Sequence, residues 1–288
     1  MKVAIISGKG GSGKSSVTAA FVALSREMVA VDCDVDASNL PLLFSHQVLG
    51  REGFASSEDI VVDEQACVGC GRCVEVCAFH ALNLNAAGIA TPQDFMCEGC
   101  GLCVDVCPQH ALHIERKESS DIFTSSFEHG ILIHGRLCPG DDNSGKMIAR
   151  MRLMADSMMP KDTTAIQILD GPPGIGCPVL STVTGMDCIV LVAEPTLSGI
   201  ADLHRAYRVA AGFCENIKVV INKCDVNVPN TETIRDFCKV QNIPVVAALP
   251  FDRKMVEAQL HCQSIVDYAP ESLCAAELRA AYAKIFVA

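Results

Sequence analysis

The stretch Met1-Lys2-Val3-Ala4-Ile5-Ile6-Ser7, followed by Gly8-Lys9-Gly10-Gly11-Ser12-Gly13-Lys14-Ser15-Ser16, narrows the possible folds more than any other part of the chain. Its first part is a short run of apolar and β-branched residues, which reads as a buried strand. A helical pattern runs from Val17 to Arg26. Strand, glycine loop and helix in that order are the setting of a phosphate-binding loop. Gly8, Gly10, Gly11 and Gly13 let the backbone adopt conformations that a side chain forbids. The loop N–H groups can then turn toward phosphate oxygens, and the N-terminus of the next helix adds positive partial charge there. In this spacing Lys14 is expected to reach the β- and γ-phosphates and the Ser15 hydroxyl to coordinate Mg²⁺, with Ser12 and Ser16 in the same cradle.

Lys9 adds a second lysine just after the first glycine. The loop therefore resembles the deviant P-loop of the MinD/ParA/nitrogenase-iron-protein superfamily. That resemblance implies ATP as the ligand, a homodimer closed by ATP, and Lys9 reaching the partner's nucleotide. Three further segments extend it. Glu27–Asp32 reads as a strand that leads into Asp32-Cys33-Asp34-Val35-Asp36-Ala37-Ser38-Asn39-Leu40, similar to the family's first switch. The match implies that Asp34 orients the attacking water and that Asp32 helps place Mg²⁺. It assigns nothing to Asp36, and capping of a turn is the competing reading for these acids. Ala165–Asp170 reads as a strand ending in an aspartate, and Gly171-Pro172-Pro173-Gly174 after it resembles the second switch. There Asp170 is expected to hold Mg²⁺ through water, with Gly171 or Gly174 sensing the γ-phosphate. Asn222-Lys223-Cys224-Asp225 looks like the family's base-recognition strand end. The match implies that Asn222 bonds the adenine edge and that the loop after Pro250 crosses the base. Strand-end capping is the alternative for Asn222.

A different signal interrupts this frame. Cys67, Cys70, Cys73 and Cys77 follow the spacing C-x₂-C-x₂-C-x₃-C, and Cys97, Cys100, Cys103 and Cys107 repeat it. Ala81-Leu82-Asn83-Leu84 is echoed by Ala111-Leu112-His113-Ile114. The repeat resembles a bacterial two-cluster ferredoxin. In that arrangement three cysteines of one motif hold a cluster together with the fourth cysteine of the other. The resemblance thus implies one [4Fe–4S] cluster on Cys67, Cys70, Cys73 and Cys107, and another on Cys97, Cys100, Cys103 and Cys77. Ala78 departs from the pattern, which has proline there. Zinc is the competing ligand, but it favours paired C-x₂-C knuckles over two full four-cysteine runs. The expected organisation is a discontinuous ATPase domain, 1–56 and 119–288, with a small α+β ferredoxin-like domain inserted at 57–118.

Elsewhere strands and helices alternate, with apolar runs at Asp187–Ala193, Ile217–Lys223 and Val245–Pro250. The expected fold class is α/β, a mainly parallel sheet flanked by helices. Pro41–Ser57 reads as loop-like. Asp121–Thr124 and Gly130–Ile133 read as an antiparallel strand pair, with His129 and His134 structural. Cys177 and Cys138 stand at intervals similar to two cluster ligands of the nitrogenase iron protein, which raises a third cluster between two subunits as an expectation.

The net charge of −11 argues against nucleic acid as the main partner. No basic, apolar leader precedes the first strand and no long uncharged run occurs, so the chain is expected in the cytoplasm and away from membranes. Seventeen cysteines there call for an explanation other than disulfides. These readings converge on an ATP-hydrolysing, Mg²⁺-dependent protein that couples a dimer switch to electron transfer through two [4Fe–4S] clusters. Its partner would be a redox or cofactor-accepting protein. The alternatives are an iron–sulfur or metal-cofactor assembly ATPase, and a MinD/ParA-like regulatory ATPase whose clusters sense redox state.

Overall fold

The computed structural model of the chain describes residues 1–93, 96–138, 143–159 and 165–287, with the backbone alone at 56–59 and 116–119. The elements in order are β1 (Lys2–Ser7), α1 (Lys14–Leu24), β2 (Met28–Asp32), β3 (His46–Val62), α2 (Arg72–Val76), β4 (Leu82–Leu84) and β5 (Ala90–Pro92). Then come α3 (Leu102–Asp105), β6 (Leu112–Phe127), β7 (Gly130–Arg136), α4 (Ser144–Met158), β8 (Gln167–Pro173), α5 (Cys177–Val183) and β9 (Cys188–Ala193). The rest is α6 (Leu197–Ala211), β10 (Ile217–Asn222), α7 (Val228–Val240), β11 (Val245–Leu249), α8 (Arg253–Leu260), α9 (Ile265–Tyr268) and α10 (Leu273–Phe286). The chain divides into two compact units. One is Met1–Arg51, Ile122–Arg136 and Ser144–Ala288; the other is Glu52–Asp121 with Leu137–Asn143.

Nine strands form a sheet in the order β11-β10-β9-β1-β8-β2-β7-β6-β3. Every pairing from β11 through β7 is parallel. The central strands are apolar almost throughout because both faces are covered. Val3 and Ile5 of β1 join a core with Phe21 of α1 and Leu278 and Ile285 of α10. Ile6 faces the other way, against Gly171 of β8. A Cβ at Gly171 would stand 2.6 Å from Ile6 Cγ2, so close packing alone requires glycine there.

At the far edge the expected antiparallel pair is present, with longer strands than the sequence reading gave, and the departure lies in β3. β6 and β7 are neighbours joined by a two-residue turn at Glu128–His129, an antiparallel hairpin. Beyond them lies β3, which replaces most of the loop read at Pro41–Ser57. Residues 47–51 of β3 are all exposed, so this stretch has no buried face and carries no period-two pattern. Its strand character comes from pairing with a neighbour. His134 stacks on Phe123 with ring centroids 5.1 Å apart and meets His46 edge-on, a packing role.

Candidate functional site

Parallel order brings three strand ends together. Ile5 of β1 lies beside Asp170 of β8, and Asp170 lies beside Asp32 of β2. The glycine loop leaves β1 at this point, at the carboxyl edge where open α/β sheets hold ligands. Gly13 has φ +90, and a Cβ there would collide with the Asn222 amide. Lys14 opens α1 almost fully buried, its Nζ 3.0 Å from Asp170 Oδ1 and 3.4 Å from Ser15 Oγ. Asp170 also accepts hydrogen bonds from Ser15 Oγ at 2.6 Å and Thr18 Oγ1 at 2.7 Å. The loop from Lys9 to Ser16 lines a cleft of ≈ 860 Å³, together with Asp34, Asp36, Asn222, Lys223 and the segment Pro250–Asp252. Met255, Val256 and Gln259 of α8 form another wall, and Gln259 donates to Ser16 Oγ at 2.6 Å.

The electrostatics follow from burial. Lys14 loses solvation, which favours its neutral form, but Asp170 and then Asp32 outweigh this and raise its pKa. Asp32 is fully buried, and that desolvation, reinforced by Asp170, pushes its carboxyl up to about 7 against the opposing pull of Lys14. It accepts from Ser38 Oγ at 2.8 Å and from the N–H groups of Leu40 and Asp34 at 3.0 and 3.1 Å. Burial raises Asp34 as well, opposed by Lys14. A raised acid binds its proton more tightly in the folded than in the unfolded chain. Its contribution to stability therefore falls as pH rises through the window between the two values. The nucleotide-free Asp32→Asn variant should gain thermal stability relative to the parent as pH rises from about 4 to about 7, and the gap should level off above that. Melting curves of both proteins across this range check it; a constant gap means that Asp32 stays ionised throughout.

Two of the motif side chains make contacts within the chain that the motifs do not specify. Lys9 is held within its own chain: its Nζ lies 2.5 Å from Glu194 Oε1 and donates to Thr196 Oγ1 and Ser198 Oγ at 3.2 and 3.1 Å. The Asn222 amide donates to Ser12 O at 2.9 Å, so it braces the glycine loop from the side of β10. Sequence reasoning missed Thr18 and Glu194. Thr18 lies in the helical run, one turn after Lys14, where threonine usually bonds only its own helix. Glu194 follows directly on β9, and a carboxylate at the carboxyl end of a parallel strand was the signal available for it.

In the second unit the sequence repeat is also a repeat of backbone conformation. Gly69 and Gly71 have φ +67 and +74, and Gly99 and Gly101 have +64 and +75. Cys77 Sγ accepts from Ala81 N and Cys107 Sγ from Ala111 N, both at 3.3 Å. Cys67, Cys70 and Cys73 share one cavity with Cys107. Cys97, Cys100 and Cys103 share the other with Cys77. Ile60, Leu82, Ala90 and Leu112 pack around Cys73, Cys103 and Cys107 as the core of this unit. Among the described residues no three His, Cys, Asp or Glu side chains converge as they would on a single metal ion. Cys138 and Cys177 are both exposed; the first belongs to this unit and the second to the other. Among the described residues no helix is long and apolar enough to cross a membrane.

The model of the CobQ/CobB/MinD/ParA nucleotide binding domain matches residues 3–265. An uncharacterized protein of Methanocaldococcus jannaschii, MJ0578, is 39% identical over 236 residues, 79% of this chain and 79% of its own. Among solved structures, the septum site-determining protein MinD complexed with Mg-ADP from Pyrococcus horikoshii is similar with a TM-score of 0.58 at 19% identity, covering 99% of this chain and 95% of that one. The MinC:MinD cell division protein complex of Aquifex aeolicus gives 0.57 at 15% identity, over 100% and 96%.

Proposed function

The chain belongs to the CobQ/CobB/MinD/ParA nucleotide-binding domain family, and on that premise we propose that it is a Mg-ATP-driven regulatory ATPase whose cysteine-rich unit carries two [4Fe–4S] clusters. The nucleotide half of this reading is supported by the Pyrococcus relative, which was solved with Mg-ADP. Lys14 and the loop N–H groups bind the phosphates, and Asp170 keeps Lys14 charged and aimed through a carboxylate that Ser15 and Thr18 also hold. Ser15, Asp32 and Asp170 offer oxygen donors for Mg²⁺, the hard ligands that ion prefers. Bound Mg²⁺ supplies charge neutralisation at the phosphates. Asp34, at the cleft wall and with its pKa raised by burial, is suited to orient a water and take its proton. Lys9 then acts across a homodimer that ATP closes, and Asn222 turns from Ser12 to the base.

The observation that carries the cluster half is the sorting of eight thiols into two cavities, each with three cysteines of one repeat and the fourth of the other. That is the donor set of a two-cluster ferredoxin. N–H groups aimed at Cys77 and Cys107 are the kind of contact that tunes cluster potential. The clusters supply a one-electron redox change.

Sequence alone put electron transfer to a partner first. Regulation is the better reading, because the similar chains include cell division proteins, one of them solved with a protein partner, MinC. Mg-ATP turnover should therefore change several-fold between dithionite-reduced and air-free oxidised protein. Equal turnover in the two states, together with rapid electron transfer to an acceptor protein, would restore the donor reading.

A further inference from the structure

At the mouth of the cleft one carboxylate serves two lysines. Glu194 Oε1 takes Lys9 Nζ at 2.5 Å, and Glu194 Oε2 takes Lys223 Nζ at 3.2 Å. Lys9 and Lys223 line the cleft, whereas Glu194 stands behind them, 12% exposed. The backbone that carries this carboxylate is fixed, and Thr196 Oγ1 lies 3.5 Å from Glu194 Oε1. Thr196 N donates to Glu194 O at 2.8 Å, Thr196 caps α6, and Gly199 packs so closely on the Glu194 carbonyl that a Cβ would collide with it. The lysines are the movable partners, point charges on flexible stems. Lys223 also holds a left-handed backbone, φ +54, a conformation that costs a residue with a side chain and that clusters at functional positions.

We propose that Glu194 is an internal counter-anion that occupies Lys9 and Lys223 in the nucleotide-free chain and so restrains triphosphate binding more than diphosphate binding. This rests on the reading of the cleft as a Mg-ATP site. A terminal phosphate carries more charge than a carboxylate and presents more acceptor oxygens, so it competes with Glu194 for both ammonium groups, for Lys223 in its own cleft and for Lys9 across the dimer that ATP closes. Adding a third phosphate increases that competition, and the cost of breaking the Glu194 pairs falls on the triphosphate. The buried Lys14–Asp170 pair serves either nucleotide. Glu194 thus acts through the lysines, as a positioning residue.

Calorimetric titration with Mg-ADP and with a Mg-bound non-hydrolysable ATP analogue tests the proposal. Glu194→Gln should tighten the analogue by about three- to tenfold and leave ADP within about twofold. Glu194→Asp, which keeps the charge but draws it back, should give an intermediate gain, and it decides the matter if the glutamine variant does not fold. In a Lys9→Ala/Lys223→Ala background the Glu194→Gln change should alter neither affinity. Equal weakening of both nucleotides, or the same gain without the lysines, overturns the proposal. Failure of the parent protein to bind either nucleotide removes the Mg-ATP site itself, a result distinct from an unchanged preference.

Discussion

Lys14→Ala will lower Mg-ATP turnover by roughly 100- to 1,000-fold, the range seen when one pre-positioned donor is removed from a charged transition state. The size follows from where the lysine sits. Its ammonium is nearly sealed from water between Asp170 and the phosphate loop. It also opposes the rise of Asp32 and Asp34. Without it, the upward push of burial and of Asp170 on the Asp32 carboxyl is no longer opposed by that ammonium, so Asp32 holds its proton more tightly. The protonated site binds Mg²⁺ poorly, so nucleotide affinity should fall with turnover. Ser15 and Thr18 still hold Asp170, so the circular dichroism spectrum should stay that of the parent. Turnover within a few-fold of the parent would remove the cleft from the chemistry.

The second large effect is a pattern of iron loss. Anaerobically prepared protein should contain about eight irons per chain, and Cys107→Ser should contain about four. The decisive variant is Cys73→Ser/Cys107→Ser. Cys73 and Cys107 share one cavity although they belong to different repeats. If each cavity holds one cluster, the double variant loses no more iron than the single. If each repeat instead closed its own cluster, the double variant would lose both and retain close to none. Cys73→Ser/Cys77→Ser gives the reciprocal result: those residues belong to one repeat but face different cavities, so the variant should retain close to no iron, whereas closure within each repeat would leave about four. Iron analysis with the visible absorbance of the purified variants reads both outcomes.

How much of this was legible depends on how local each feature is. The phosphate loop, both aspartate-bearing strand ends and the cysteine repeat are contiguous runs whose spacing is the geometry. The resemblance of the loop and the two switches to one family grouped Lys14, Asp32 and Asp170 before any coordinates. β3 was not legible: with 47–51 exposed, its pattern lacks the alternation that burial imposes, and only a paired neighbour makes it a strand. Thr18 was hidden for the opposite reason. Its place in an apolar helical run is unremarkable until Asp170 arrives from 152 residues away in the chain.

From order and spacing alone came the α/β class, the phosphate loop, the carboxylates at the sheet's carboxyl edge and the two four-cysteine runs, because each depends on residues a few positions apart; the crossing of Cys77 and Cys107 came from the ferredoxin resemblance. Which carboxylate meets which lysine was settled only by the folded chain. Glu194 reaches Lys9 across 185 positions and Asn222 reaches Ser12 across 210. Such pairs depend on the stacking of β9 and β10 beside β1, and burial at the end of β2, next to β8, shifts the charge of Asp32. Neither the distance nor the dielectric around a side chain is written in its neighbours along the chain.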